Sequence, residues 1–274
     1  MTAVTTEDRA GLGPGRASLG TSLSSEWIKI RSLRSTWWAL LAMVFFIVGL
    51  GTLFAAVRAH RYNELGPNAI GFLEDPTEIS LRGIFLGQLA VGVLGVLVVT
   101  GEYTTGMIRA SLTALPRRWS VLAGKALVLA AVALIVTEVA SFAGFFAGQA
   151  ALASTHHQAS LSSPGALRAC LGAGVYLTII ALLGVGLGFL FRSTAGGIAT
   201  LVGIVLILPL LAQALPTPYS TDVIEYLPLT AGTQIVATRL DPTALSPWTG
   251  IGVAAGYAAA ALLAGLFLLR RRDA

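Results

Sequence analysis

The sequence has 274 residues, of which 55% are hydrophobic and only 11% are charged. Soluble domains carry about 25% charged residues, so this composition excludes a protein whose whole surface faces water. The net charge of +5 does not indicate nucleic-acid binding, because the basic residues flank long apolar runs instead of covering one polar face.

The chain starts with a polar segment, residues 1–18, that is predicted to form a disordered cytoplasmic tail. Residues 19–35 follow as a predicted amphipathic helix. At 100° per residue, one face of this helix is apolar and carries Leu23, Trp27, Ile30, Leu33 and Trp37. A basic amphipathic helix lies in the headgroup region of a bilayer, but the same pattern also suits a surface that a cytoplasmic partner contacts. Both interpretations stay open at this stage.

Six apolar runs are long enough to cross a bilayer, which requires about twenty helical residues for a hydrocarbon core of about 30 Å. Such segments must satisfy their own backbone hydrogen bonds, and these runs are apolar on all sides, which favours helices over a β-barrel. We therefore predict an all-α polytopic membrane protein. Its six transmembrane spans cover about residues 36–57, 83–101, 124–150, 169–191, 195–215 and 248–269.

The basic residues predict how these spans are oriented. With both termini in the cytoplasm, thirteen lysine and arginine residues lie on the cytoplasmic side and five lie outside, in agreement with the positive-inside rule. Only two of these residues are lysines, Lys29 and Lys125. We interpret the scarcity of lysine as a compositional bias without chemical meaning.

The cytoplasmic segment after the second span, residues 102–118, is long enough to hold a helix of its own. A mainly apolar stripe at helical spacing consists of Met107, Ile108, Ser111, Leu112 and Leu115. Pro116 ends this helix, and Arg117 and Arg118 return the chain to the membrane. Because an apolar stripe must be covered, we expect either the bilayer surface or a groove on a partner protein to lie against it.

Glu138 is the one charged residue in the interior of the predicted spans, since Lys125 lies at the start of the third span. It is either a functional group or a carboxyl that holds helices together by a hydrogen bond, with one of three candidate partners: Thr137, Tyr176 or Thr178. We favour the second interpretation, because no basic partner accompanies it. The adjacent His156 and His157 have no carboxylate nearby in sequence, so we predict a solvated loop and no metal site.

Two sequence motifs resemble those of a known family. The first precedes and enters the first span and contains Glu26, Trp27, Lys29, Arg31, Arg34, Ser35, Thr36, Trp37 and Trp38. The second follows the second span and contains Gly101, Glu102, Tyr103, Thr104, Thr105, Gly106, Ile108, Arg109, Ser111, Leu112, Ala114, Pro116 and Arg118. In combination they resemble the membrane subunits, or permeases, of type-2 ABC exporters (the ABC-2 family).

This resemblance implies a permease that works with a separate ATP-binding subunit. A connecting helix, containing Glu26, Trp27, Lys29, Arg31 and Arg34, would pack against that subunit. A coupling segment would contact it through Glu102, Tyr103, Thr104, Thr105, Gly106, Met107, Ile108, Arg109, Leu112, Arg117 and Arg118. Two copies of the permease, or two homologous permeases, would pair to line the translocation path, and the segment 222–239 would cap that path on the outer side.

The chain contains no G-x-x-x-x-G-K-[ST] phosphate-binding motif, so we predict that it has no catalytic residues and binds no cofactor. ATP and Mg²⁺ are expected in the partner subunit. The predicted function is export across the plasma membrane, with no nucleic-acid partner. A secondary transporter and a non-catalytic membrane scaffold protein are the alternatives. The former would normally show paired broken spans or several intramembrane charges.

Overall fold

The computed structural model describes residues 19–65, 75–114, 118–216, 219–239 and 244–271. The predicted tail at 1–18 and Arg117 of the coupling segment lie outside these ranges. Within the described ranges every regular element is helical, which confirms the predicted all-α class.

In the part of the chain that the structure describes, six helices are long and apolar enough to cross a membrane, as predicted. They are α2 (Arg34–Glu64), α3 (Pro76–Thr104), α5 (Arg118–Ala151), α6 (Ala166–Phe191), α7 (Thr194–Ala212) and α10 (Pro247–Arg271). The shorter helices are α1 (Leu19–Ser32), α4 (Met107–Ala114), α8 (Tyr219–Glu225) and α9 (Pro228–Thr233), and a single 3₁₀ turn covers Ala153–Thr155. The chain is therefore a multi-pass membrane protein.

Some helices extend beyond the apolar runs that predicted them. Helix α2 continues to Glu64 although its apolar run ends near residue 57, and α5 begins at Arg118 rather than near residue 124. Hydrophobicity marks only the part of a helix that lies in the hydrocarbon core, whereas the backbone hydrogen bonds continue into the polar region.

The core of the bundle lies along α6 and α3. In the most apolar stretch of α6, 78% of the residues are buried, compared with 61% in α3 and 17–33% in the other four spans. Glycines allow the close packing: a Cβ atom at Gly184 would lie 2.2 Å from the carbonyl oxygen of Gly92 in α3. At Gly186 it would lie 2.6 Å from the carbonyl carbon of Ala261 in α10. Small residues of this kind bring membrane helices into backbone contact.

One end of the bundle, which we name the terminal face, carries α1, α4, the start of α5 and the end of α10. Helix α1 is separated from α2 by Leu33, whose backbone is extended (φ −83°, ψ 115°). The α1 helix packs on the first turns of α5: the Ser22 hydroxyl donates to the Ser120 carbonyl oxygen at 3.0 Å, and Gly124 leaves the space that Ser22 occupies. The amphipathic helix is therefore docked on the bundle.

At the opposite face, the segment between α7 and α10 contains the two short helices α8 and α9. Helix α9 reaches into the bundle, because Gly232 packs against the ring of Tyr176, which lies more than two turns inside α6. Tyr176 is fully buried and its hydroxyl donates to the side-chain oxygen of Gln88 in α3. Tyr176 therefore joins three elements of the bundle.

Candidate coupling site at the terminal face

Four charged side chains meet at the terminal face in an arrangement that we name the charge network: Glu26, Lys29, Glu102 and Lys125. The Lys29 ammonium lies 2.8 Å from Glu26 Oε1 and 2.6 Å from Glu102 Oε1. The Lys125 ammonium lies 2.8 Å from Glu26 Oε2 and 2.7 Å from Glu102 Oε1. Each lysine thus contacts both glutamates, and the network carries no net charge.

Three helices supply these side chains. Glu26 lies on the same face of α1 as Ser22 and Ile30, and this face is buried against the bundle because the three residues are four positions apart. Glu102 is in the last turn of α3, and Lys125 is two turns into α5. The network therefore ties α1 to the ends of two membrane-spanning helices that are consecutive in the chain.

Burial makes this network energetically demanding. Lys125 is 1% exposed, Glu26 3% and Glu102 6%. Burying an unpaired charge costs several kcal/mol, so these groups are stable only because opposite charges compensate each other. Partial burial acts to lower the pKa of Lys29, but its hydrogen bonds and charge interactions with Glu102 and Glu26 outweigh this effect and raise the pKa above the ordinary value. Lys29 is therefore a cation throughout the physiological pH range.

The interpretation of the two lysines as a compositional bias is wrong. Although Lys29 and Lys125 are 96 positions apart, both contact the same two carboxylates. A lysine ammonium is a compact point charge with three donors, which suits a small buried site between carboxylates better than the planar guanidinium of arginine. The one signal in the sequence was the use of lysine at only these positions in an arginine-rich chain, and Lys125 was missing from the predicted site.

A hairpin connects α3 to α4 next to the network. Gly106 turns the chain with a left-handed backbone (φ 74°), a conformation that glycine adopts without steric cost. Ile108 is 3% exposed, Leu112 packs against the core, and the Ser111 hydroxyl lies 3.5 Å from the Lys29 ammonium. The chain itself therefore covers Ile108 and part of Leu112, so neither the bilayer nor a partner protein alone covers the stripe of α4.

The residues of this hairpin that stay exposed form a compact surface, which we name the hairpin tip: Thr104, Thr105, Gly106, Met107 and Arg109. All five belong to the predicted partner-binding set. Met107 is 46% exposed. The tip therefore offers a partner one apolar side chain and one cation on a braced hairpin.

Other predicted partner-binding residues make contacts within the chain. Tyr103 is half-buried, and the Arg192 guanidinium lies over its ring at 5.3 Å from the centroid. Arg118 donates from Nη1 to the carbonyl oxygen of Leu269 at 2.7 Å, near the end of α10, where helix carbonyls lack helical partners. Their role in partner binding stays a prediction, as it does for the buried Glu26 and Glu102.

The predicted apolar face of α1 packs on the bundle only in part: Ile30 is 6% exposed and Leu23 packs against the core. Trp27 is 52% exposed, and Leu33 and Trp37 are similarly open, whereas the buried face contains the polar Ser22 and Glu26. Arg31 and Arg34 are also exposed. Exposed tryptophans with adjacent arginines are typical of the membrane interface, so the docked helix keeps a surface suited to lipid headgroups.

A cavity of about 230 Å³ lies beside the charge network. Its walls come from α1, the start of α2, the end of α3, the hairpin tip and Lys125 of α5, and they include all four side chains of the charge network. The hairpin tip and the charge network thus border the same open space.

Glu138 lies on α5 away from this site and packs against Gly174 of α6. Its predicted hydrogen-bond partners use their hydroxyl groups elsewhere: Thr137 and Thr178 donate to the Gly174 carbonyl oxygen, and Tyr176 donates to Gln88. The prediction that one of these three residues binds the Glu138 carboxyl is therefore wrong. Instead, the carboxyl of Glu138 lies against Gly174, because this glycine has no side chain and leaves room for the carboxyl between α5 and α6.

His156 and His157 lie at the opposite face, where they line a cavity of about 520 Å³ together with Asp75. The His157 Nε2 atom and the Tyr62 hydroxyl are 2.8 Å apart. Among the residues that the structure describes, no group of three histidine, cysteine, aspartate or glutamate side chains is arranged to hold a metal ion.

The chain is thus a six-span membrane protein in which a braced hairpin projects from the terminal face. Residues 22–209 match the family described as ABC-2 family transporter protein, a match that extends from α1 into α7. No curated protein matches the sequence. The chain belongs to the ABC-2 transporter family, whose members are permease components of ABC transporters, and this confirms the resemblance seen in the two motifs.

Proposed function

We propose that this chain is the membrane-spanning permease subunit of an ATP-binding-cassette exporter. In this proposal it lies in the plasma membrane with its terminal face in the cytoplasm, and two permeases pair to line the translocation path. A separate ATP-binding subunit binds ATP and Mg²⁺ and contacts the hairpin tip. Closure of the ATP-binding subunits then moves the hairpin and shifts the permease pair between inward-open and outward-open states.

The observation that supports this proposal is the contrast between the two sides of the hairpin. Its inner side is fixed by Ile108, Leu112 and the charge network, whereas the tip stays exposed. A surface that passes force from one protein to another must be accessible to the partner and must also be rigidly attached to what it moves. The family membership and the excess of basic residues on this side of the membrane support the same orientation.

Copurification tests the proposal. The tagged chain, purified in detergent from its native membranes, is expected to retain an ATP-binding subunit that carries the G-x-x-x-x-G-K-[ST] motif. Changing Met107→Asp and Arg109→Glu together inverts the charge and removes the apolar contact at the tip. We expect this variant to insert normally and to lose at least about 30-fold in affinity for the subunit, or about 2 kcal/mol, as for an interface hot spot.

The matched control is Arg239→Glu, which makes the same charge inversion at an exposed position of the opposite face. This variant is expected to retain the ATP-binding subunit. Glu102 is unsuitable for the test, because its buried carboxylate supports the fold. If the Met107→Asp/Arg109→Glu variant binds the subunit as the wild type does, the hairpin tip is not the contact. If no ATP-binding subunit copurifies with the wild type, a secondary transporter or a scaffold becomes the better assignment.

A further inference from the structure

We propose that Lys125 is a positioning residue that transmits movement of the hairpin tip to α5, so that α5 carries the nucleotide-driven displacement across the membrane. This inference rests on the proposed function and names how the coupling site acts on the bundle. It assigns a role to a residue outside both family motifs and outside the predicted site.

Lys125 is the only member of the charge network that belongs to α5. Its ammonium contacts Glu102 Oε1 at 2.7 Å, and Glu102 is the residue that precedes the hairpin by two positions. The same ammonium contacts Glu26 Oε2 at 2.8 Å, which ties α1 to α5 as well. A displacement of the hairpin therefore acts on α5 through two short ionic contacts in a buried site, where water does not screen them.

The surroundings direct this movement toward α5. Helix α1 is held on the first two turns of α5, which also carry Lys125. The Ser22 hydroxyl donates to the Ser120 carbonyl oxygen, and Ser22 packs against Gly124. The cavity of about 230 Å³ lies beside both the charge network and the hairpin tip, and Leu33, whose backbone is extended, separates α1 from α2. The hairpin, α1 and the start of α5 are thus fastened together, with open space next to them.

Helix α5 is suited to carry the displacement. It has 34 residues, the longest of the six spans, which corresponds to about 50 Å at 1.5 Å per residue. It contains no proline and no π-helical turn, whereas α2 and α7 each contain a π-helical turn. At the opposite face, Gln149 of α5 donates to the Pro76 carbonyl oxygen and to the Ser80 hydroxyl, both at 3.0 Å. The far end of α5 is therefore tied to the start of α3.

Two double variants test the transmission, and each removes one carboxylate and one ammonium so that the network stays neutral. Glu26→Gln/Lys125→Met detaches α5 from the hairpin. Glu26→Gln/Lys29→Met leaves the contact between Glu102 and Lys125 in place. The two variants share the loss of Glu26. They differ in which lysine still contacts Glu102: Lys29 of α1 in the first variant and Lys125 of α5 in the second.

The readout is the distance between spin labels on cysteines introduced at Ala150, near the outer end of α5, and at Gly252 of α10. Both positions are exposed, and no atom lies near a side chain added at Gly252. The native Cys170 is fully buried, so it does not compete for the label. The distance is measured in the purified complex with its ATP-binding subunit, without nucleotide and after trapping with ATP and vanadate.

In the wild type we expect trapping to shift the distance distribution. In Glu26→Gln/Lys125→Met the shift should be lost while the ATP-binding subunit still copurifies, and in Glu26→Gln/Lys29→Met the shift should be retained. The role of Lys125 would be overturned if both variants retained the shift in the distance distribution, if both lost it, or if neither inserted into the membrane. A wild type without an ATP-binding subunit would instead refute the proposed function at the first step, before the variants are compared.

Discussion

Replacing Gly184 with alanine is expected to destabilise the bundle, because this glycine lies where α6 contacts α3. The added Cβ atom would lie 2.2 Å from the Gly92 carbonyl oxygen and 3.1 Å from the Val96 nitrogen. Ordinary contacts between carbon and oxygen are about 3.3–3.6 Å, so the two helices must separate by about 1 Å. A gap of that size forfeits up to about half of the dispersion energy of each contact that it opens.

The pair of α3 and α6 forms the most extensive interhelical contact in the chain, so the loss extends along both helices. Overpacking a tight core costs about 1–3 kcal/mol, and we expect the upper end of this range for Gly184→Ala. The assay is unfolding of the purified chain by SDS in mixed micelles, followed by tryptophan fluorescence.

Gly256→Ala on α10 is the matched control, because no atom lies within 4 Å of the Cβ atom that it would add. Its free energy of unfolding should stay within about 0.5 kcal/mol of the wild type, as for surface substitutions in general. Equal stability of the two variants would show that the backbone contact between α3 and α6 does not limit stability, and would refute the reasoning.

Three further predictions concern buried polar groups. Lys125→Met leaves a net negative charge in the network and should lower the free energy of unfolding by about 3–5 kcal/mol, and adding Glu26→Gln should recover part of this loss, both measured by SDS unfolding. Tyr176→Phe leaves the side-chain oxygen of Gln88 without its buried donor and should cost about 1–3 kcal/mol in the same assay; an unchanged stability would contradict that hydrogen bond. Because the folded pKa of Lys29 is raised, its contribution is complete below the unfolded pKa and is lost as the pH rises through the folded value. The stability advantage of the wild type over Lys29→Met should therefore persist at neutral pH and decline only above about pH 10.5, and a decline near pH 8 would contradict the assignment.

The candidate site shows which parts of a coupling surface are visible in a sequence. The hairpin was predicted because residues 107–112 repeat apolar side chains at helical spacing, which is a local property. The sequence could not show what covers that stripe, because Ile108 is buried within the fold and Ser111 lies next to Lys29, which is 82 positions away in sequence. The same limit applies to α1, where helical periodicity identified an apolar face, but the bundle packs against Ile30 together with the polar Ser22 and Glu26 and leaves Trp27 exposed.

Glu138 illustrates a related limit. Its position inside an apolar run showed that it is a carboxyl within the membrane, and three hydroxyl residues were nearby in the predicted bundle. Which of them it meets depends on the rotation of α6 about its own axis, a quantity that an evenly apolar helix does not encode locally. The structure places Gly174 opposite Glu138 and leaves the hydroxyl groups of Thr137 and Thr178 bound to backbone oxygen.

The sequence by itself determined that the chain is a membrane protein, that it has six helical spans and that its hairpin follows the second span. These properties follow from the cost of burying backbone polar groups in lipid and from helical periodicity, both of which act within a single segment. Only the tertiary structure decided that Lys29 and Lys125 share two carboxylates and that α1 is docked on α5. Those contacts join segments up to 99 positions apart, and their energy depends on how closely glycines let the helices approach.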